Sequence, residues 1–309
     1  MAQKNFAIYC MLLLILFVLV IPATVNAEDD CEEGTLWFDR GIAATNNENA
    51  ISYFQKTIDL CPDLIAAYVN LGIQYFKVNN FKKMIHVSED GLEIDPFYPD
   101  LHINLGRAYF LQGVFKEAIK ATERAIELDN KKFYAWVLLG FINQSLEDFD
   151  SAIQAFENAC NIKKIPENLG YLSYALARAG KYQEAEQKAN DCIKSYPSKE
   201  AVYCYNTLLV IYSAANDPKY HDGQKAVNLG RKIIQLKGKE ESWSAGNLAL
   251  AQARAGDFSS ATENMIKSID LLKESKDEPP WYRKKDLKVK KLALDKLKQQ
   301  KPLTLDDYF

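Results

Sequence analysis

Three histidines and six cysteines are the side chains of this 309-residue chain best suited to metal binding or nucleophilic chemistry. His86, His102 and His221 lie too far apart for a metal-ligand spacing, and no Cys-x-x-Cys, Gly-x-Ser-x-Gly or phosphate-loop pattern accompanies them. Carboxylates are plentiful, but their scatter suits solvated helix faces. The residues therefore predict no enzyme, no metal and no cofactor. A formal net charge of −3 also argues against a nucleic-acid partner, which would call for a basic surface.

The cysteines say more about compartment than about catalysis. The first 27 residues carry Lys4 as their only charge, run apolar from Met11 to Ile21, and end Val25-Asn26-Ala27 after Pro22. This reads as a secretory signal peptide over 1–27, cleaved before Glu28. An uncleaved anchor is the alternative, because Phe6 to Val25 approaches the roughly 20 apolar residues that cross a bilayer. Either way the remainder is exported, to a periplasm or outside the cell. Losing Cys10 with the leader leaves Cys31, Cys61, Cys160, Cys192 and Cys204 where disulfides are permitted.

The elements that must position these residues announce themselves by repetition. Leu71-Gly72, Leu105-Gly106 and Leu139-Gly140 recur every 34 residues, and so do Phe81, Phe115 and Phe149, and Met84, Ala118 and Ala152. Within one copy, Tyr68, Leu71, Gly72 and Tyr75 share one helical face, as do Phe81, Met84 and Leu92 on a second helix. A turn falls at Val78-Asn79-Asn80, and Pro96 ends the second helix. Units of this kind stack, each burying its face against its neighbours, so chain length counts repeats.

The copies resemble the tetratricopeptide repeat, whose pattern of large residue, Leu-Gly, Tyr, Gly, aromatic, Ala, aromatic, Ala and Pro fits Pro99–Lys132 best. The resemblance implies an all-α fold, a right-handed α-solenoid of antiparallel helix pairs with about seven repeats spanning 28–275. Their approximate bounds are 31–64, 65–98, 99–132, 133–165, 166–199, 200–241 and 242–275. The first copy has lost its Leu-Gly pair, as a terminal cap would. The sixth carries a polar insertion from Asn216 to Gly223. Residues 276–309 hold a linker, a basic helix and a tail. From Arg283 to Lys301 nine Lys and Arg face two Asp, with Leu287, Val289, Leu292, Leu294 and Leu297 as an apolar stripe. That helix should cap the last repeat while its lysines stay solvated.

In this family the first helices line a concave surface, and certain repeat positions face bound peptide. By resemblance these are Val69, Asn70, Ile73, Phe76 and Lys77, then Ile103, Asn104, Arg107, Phe110 and Leu111, then Tyr134, Val137, Leu138, Phe141 and Gln144. Many are apolar, which suggests apolar peptide anchors. Asn70, Asn104 and Asn247 share one repeat position and carry amides suited to an extended backbone. A charged-terminus clamp is incompletely matched by Lys77 and Arg107. Cys31 and Cys61 sit where one helix starts and its antiparallel partner ends, which makes them a candidate disulfide; Cys192 and Cys204 are a weaker pair. The expectation is an exported scaffold that binds protein or peptide on its concave face. The alternative is a permanent subunit of an envelope assembly, held by convex or end surfaces. Membrane contact would come only from an uncleaved leader or the basic C-terminal helix.

Overall fold

A computed structural model describes residues 31–275, 280–301 and 303–304. The predicted signal peptide, Cys10, and parts of the linker and tail lie outside the described residues. Fifteen α-helices follow one another, with no strand among the described residues. They are α1 (Glu32–Ala43), α2 (Asn47–Leu60), α3 (Ile65–Lys77), α4 (Phe81–Ile94), α5 (Pro99–Gln112), α6 (Phe115–Leu128), α7 (Phe133–Ser145) and α8 (Phe149–Ile162). Then come α9 (Pro166–Arg178), α10 (Tyr182–Ser195), α11 (Val202–Ala214), α12 (Gly223–Lys237), α13 (Ser242–Arg254), α14 (Phe258–Glu274) and α15 (Pro280–Lys298). The helices form two compact units that divide between Ile142 and Asn143, inside α7.

In the first unit α1 packs on α2, α3 on α4 and α5 on α6, and each hairpin meets the next. The turn inside a hairpin has a fixed design. Asn79, Gly113 and Glu147 occupy the same repeat position with φ of 56°, 80° and 68°, a left-handed conformation that closes the first helix. Glycine suits it best because it has no Cβ to crowd the carbonyl. One residue on, Asn80 accepts a hydrogen bond from the Lys83 amide and caps α4, as Asn46 caps α2 and Asp148 caps α8. Val114 stands at that position in the third copy and supplies no cap.

Close helix approach explains the Leu-Gly pairs. A Cβ on Gly106 would stand 2.4 Å from Thr122 Oγ1 on α6, and one on Gly72 would stand 2.7 Å from Asn104 Nδ2. Ala118 and Ala125, both fully buried, keep the facing side of α6 low. The first copy reaches the same end by exchange. Gly41 lies against the ring of Phe54, and Phe38 fills the space beside it at 5.6 Å between ring centroids. Cys31 and Cys61 are joined by a disulfide with Cα atoms 5.2 Å apart, tying the ends of this hairpin.

The second unit repeats the plan with α9 on α10, α11 on α12 and α13 on α14. A second disulfide joins Cys192 at the end of α10 to Cys204 in α11, with Cα atoms 6.3 Å apart. The insertion after α11 holds a short 3-10 turn at Pro218–Tyr220, and Asp222 then caps α12. The last helix, α15, packs on α14. Two expectations for it need correction. Lys290 is fully buried, not solvated, with Nζ 2.8 Å from Ser242 Oγ, 2.6 Å from Ser268 Oγ and 3.5 Å from Asp286. Leu292, assigned to the packing stripe, is 56% exposed. The buried stripe instead runs Asp286, Val289, Lys290, Ala293 and Leu297, following helical spacing through two polar residues.

Candidate protein-binding face on the first helices

The asparagines expected to grip a ligand backbone are already engaged. Asn70 Nδ2 donates to the Ala66 carbonyl at 2.7 Å within α3. Asn104 Nδ2 reaches back to the Val69 carbonyl at 3.1 Å and ties α5 to α3, while Asn247 Nδ2 donates to Asn206 Oδ1 at 2.6 Å. In the last two cases the shared repeat position marks a bond between successive first helices. Another recurring bond lies two residues before it, where His102 Nε2 donates to the Pro96 carbonyl at 3.0 Å and Trp136 Nε1 to that of Asn130 at 2.9 Å. The ring N–H explains why histidine can stand where the repeat expects a large aromatic residue.

The apolar members of the expected groove are not a water-facing surface. Val69, Phe76, Ile103, Phe110, Leu111, Tyr134, Val137, Leu138 and Phe141 are all buried, Phe110 and Phe141 completely. Repeat packing accounts for several of them. Ile103 clusters with Ala125 and Ala135, Phe110 meets the Phe115 ring at 6.1 Å, and Leu138 leans over Gly106. Gln144 is buried as well.

Ile73, Lys77 and Arg107 remain partly exposed. The Arg107 guanidinium lies 5.2 Å from the centre of the Phe76 ring, and Lys77 follows Phe76 on α3. Burial pulls Arg107 well below the usual arginine range, to about 10, although Tyr134 and Asp100 act in the opposite direction. Burial likewise lowers Lys77. Neither cation forms an ion pair with a carboxylate among the described residues. Asp100 is held instead by Lys132, whose Nζ lies 2.8 and 3.0 Å from its two oxygens.

Sequence scans match the tetratricopeptide repeat family at residues 99–132 and again at 133–165. The chain is a tetratricopeptide repeat protein. The fold agrees: a tetratricopeptide repeat protein from Parabacteroides merdae superposes with a TM-score of 0.64, covering 84% of this chain and 98% of its own, at 13% identity. A MamA protein covers 54% of this chain and 94% of its own at 23% identity and TM-score 0.46. A thermophilic repeat protein of Thermus thermophilus covers 57% and 99% at 16% identity and TM-score 0.49. No curated protein sequence matches the chain. This tetratricopeptide repeat protein thus has the α-solenoid fold, and its coarse role is that of a protein-interaction scaffold.

Two cavities lie on the second-helix side of the repeats, which sequence reasoning did not single out. One, of about 530 Å³, is walled by α2, α3 and α4 and holds Tyr68, Tyr75, Asp59 and Asp90. The other, of about 480 Å³, is walled by α8, α9 and α10 and holds Cys160, Lys164 and Lys188. Cys160 is the free cysteine among the described residues and is half-buried. Burial pushes its thiol up to about 12, so at neutral pH it is a poor nucleophile. No group of His, Cys, Asp and Glu among the described residues is arranged to hold a metal ion.

Proposed function

We propose that this tetratricopeptide repeat protein is exported and binds protein or peptide segments on the first-helix face of its early repeats, with Arg107 and Lys77 receiving a ligand carboxylate. The observation that carries the reading is Arg107: a half-buried arginine whose charge is disfavoured by burial, with no carboxylate paired to it among the described residues. Withdrawing such a charge from water is unfavourable until a counter-charge arrives, so an acidic side chain or a chain terminus gains differentially there. Ile73 offers an adjacent apolar contact. This reading shifts weight from apolar anchors to a charged one, because the aromatic side chains of this face are covered. Export rests on the leader sequence and the paired cysteines.

The test is quantitative binding with a partner recovered from the exporting cell. Arg107→Gln should weaken binding at least tenfold while leaving the circular dichroism spectrum unchanged, and added salt should weaken the parent but hardly the variant. Equal affinity of parent and variant would reject the assignment.

A further inference from the structure

The first and last of the described helices carry opposite charge around an exposed leucine. On α1, Leu36 is 57% exposed, with Glu32, Glu33 and Asp39 exposed at helical neighbour positions. The nearby cations are drawn aside onto Trp37, with Arg40 4.3 Å from its ring centre and Lys56 3.8 Å from it. Lys56 also makes a long contact of 3.9 Å with Glu33, which leaves Glu32 and Asp39 as acids without an ion pair among the described residues. On α15, Leu292 is 56% exposed, in a solvent stripe with Lys284, Lys288, Lys291 and Lys298, and Asp295 as its only acid. The charges that α15 needs for docking, Lys290 and Asp286, are buried in its opposite face. Lys284, Lys288, Lys291 and Lys298 stand outside that docked face.

We infer that these surfaces bind each other between copies, with the basic outer face of α15 on one chain docking on the acidic face of α1 on a second. Charge complementarity selects this occupant. Acidic α1 faces repel one another and so do basic α15 faces, which leaves head-to-tail contact as the favoured pairing. The leucines mark the dry centre of each patch and the charges its rim. Such contact pairs unlike surfaces, and its rotation decides whether copies close on one another or extend as an open chain.

Sedimentation velocity of the full chain tests this across concentration and salt. The expected result is a weight-average mass that rises with concentration at low salt and returns to the monomer at high salt. Lys288→Glu with Lys291→Glu, or Glu32→Lys with Asp39→Lys, should each weaken association at least tenfold while keeping the parent's circular dichroism. Mixing the two double variants should restore it, a rescue that misfolding or general loss of solubility does not produce. A monomer at all concentrations, or reversed charges that leave association unchanged or unrestored on mixing, would overturn the inference. So would loss of co-sedimentation with anionic phosphatidylglycerol vesicles in the α15 variant when the parent does not self-associate, because the stripe would then serve a lipid surface.

Discussion

Lys290 and Arg107 are both cations withdrawn from water, and they differ in whether the protein answers the charge. Lys290 has Asp286, two serine hydroxyls and the Ser242 carbonyl around it, so its ammonium is saturated with acceptors. Lys290→Ala should destabilise the docking of α15 by about 3–5 kcal/mol, the scale for breaking a buried pair from one side. Chemical denaturation with hydrogen exchange along α14 and α15 would read it. Lys290→Met should cost less than a substitution that leaves a void, because it fills the same volume. Arg107 has no such shell among the described residues, which is why it is proposed to meet a ligand. At this scale the sequence is a partial guide. Repeat position assigns Lys77 and Arg107 to the expected ligand-facing set, but it does not show that Asn104 spends its amide on Val69 or that Phe110 is covered. Those outcomes depend on how neighbouring helices close over each other, which residue type and period do not encode.

The helical hairpin is where residue choice and geometry meet. Alanine is favoured over glycine inside a helix by about 1 kcal/mol, so Gly106→Ala would stabilise an isolated α5. In the packed hairpin the new Cβ meets Thr122 Oγ1, which is itself fixed by donating to the Ala118 carbonyl at 2.6 Å. Net destabilisation of about 1–3 kcal/mol is therefore expected, the scale of overpacking. In a Thr122→Ala background the same change should be close to neutral, and a double-mutant cycle from thermal melts would expose the coupling. The 34-residue period makes these hairpins, their turns and their close-packed faces readable in advance. It fails at α15, which belongs to no repeat. There the leucine pattern suggests an ordinary amphipathic stripe, whereas Ser242 and Ser268 on α13 and α14 admit a lysine into the buried face.

Across the molecule, stability is expected to be local, because each repeat unit leans chiefly on its neighbours. The Cys31–Cys61 disulfide closes a separation of 30 residues and the Cys192–Cys204 disulfide one of 12. Loop-closure entropy assigns each about 3–4 kcal/mol. Replacing Cys31 and Cys61 by Ser should therefore raise amide exchange in α1 and α2 while leaving the amides of α13 and α14 protected. Uniform loss of protection would instead indicate one global unfolding unit. Both disulfides lie in the repeats flanking the regular middle of the array, where the family matches and the Arg107 patch are found. Capture of a ligand by Arg107 can be read in the cell that makes the protein. A photo-crosslinking amino acid is placed at Ile73, one turn before Lys77 and at the same repeat position as Arg107, and in parallel at Lys120 on the second helix of the neighbouring hairpin. A discrete protein adduct should form from position 73 and disappear with Arg107→Gln, and none should form from position 120. Adducts from position 120 alone, or from position 73 regardless of Arg107, would show that ligands bind elsewhere.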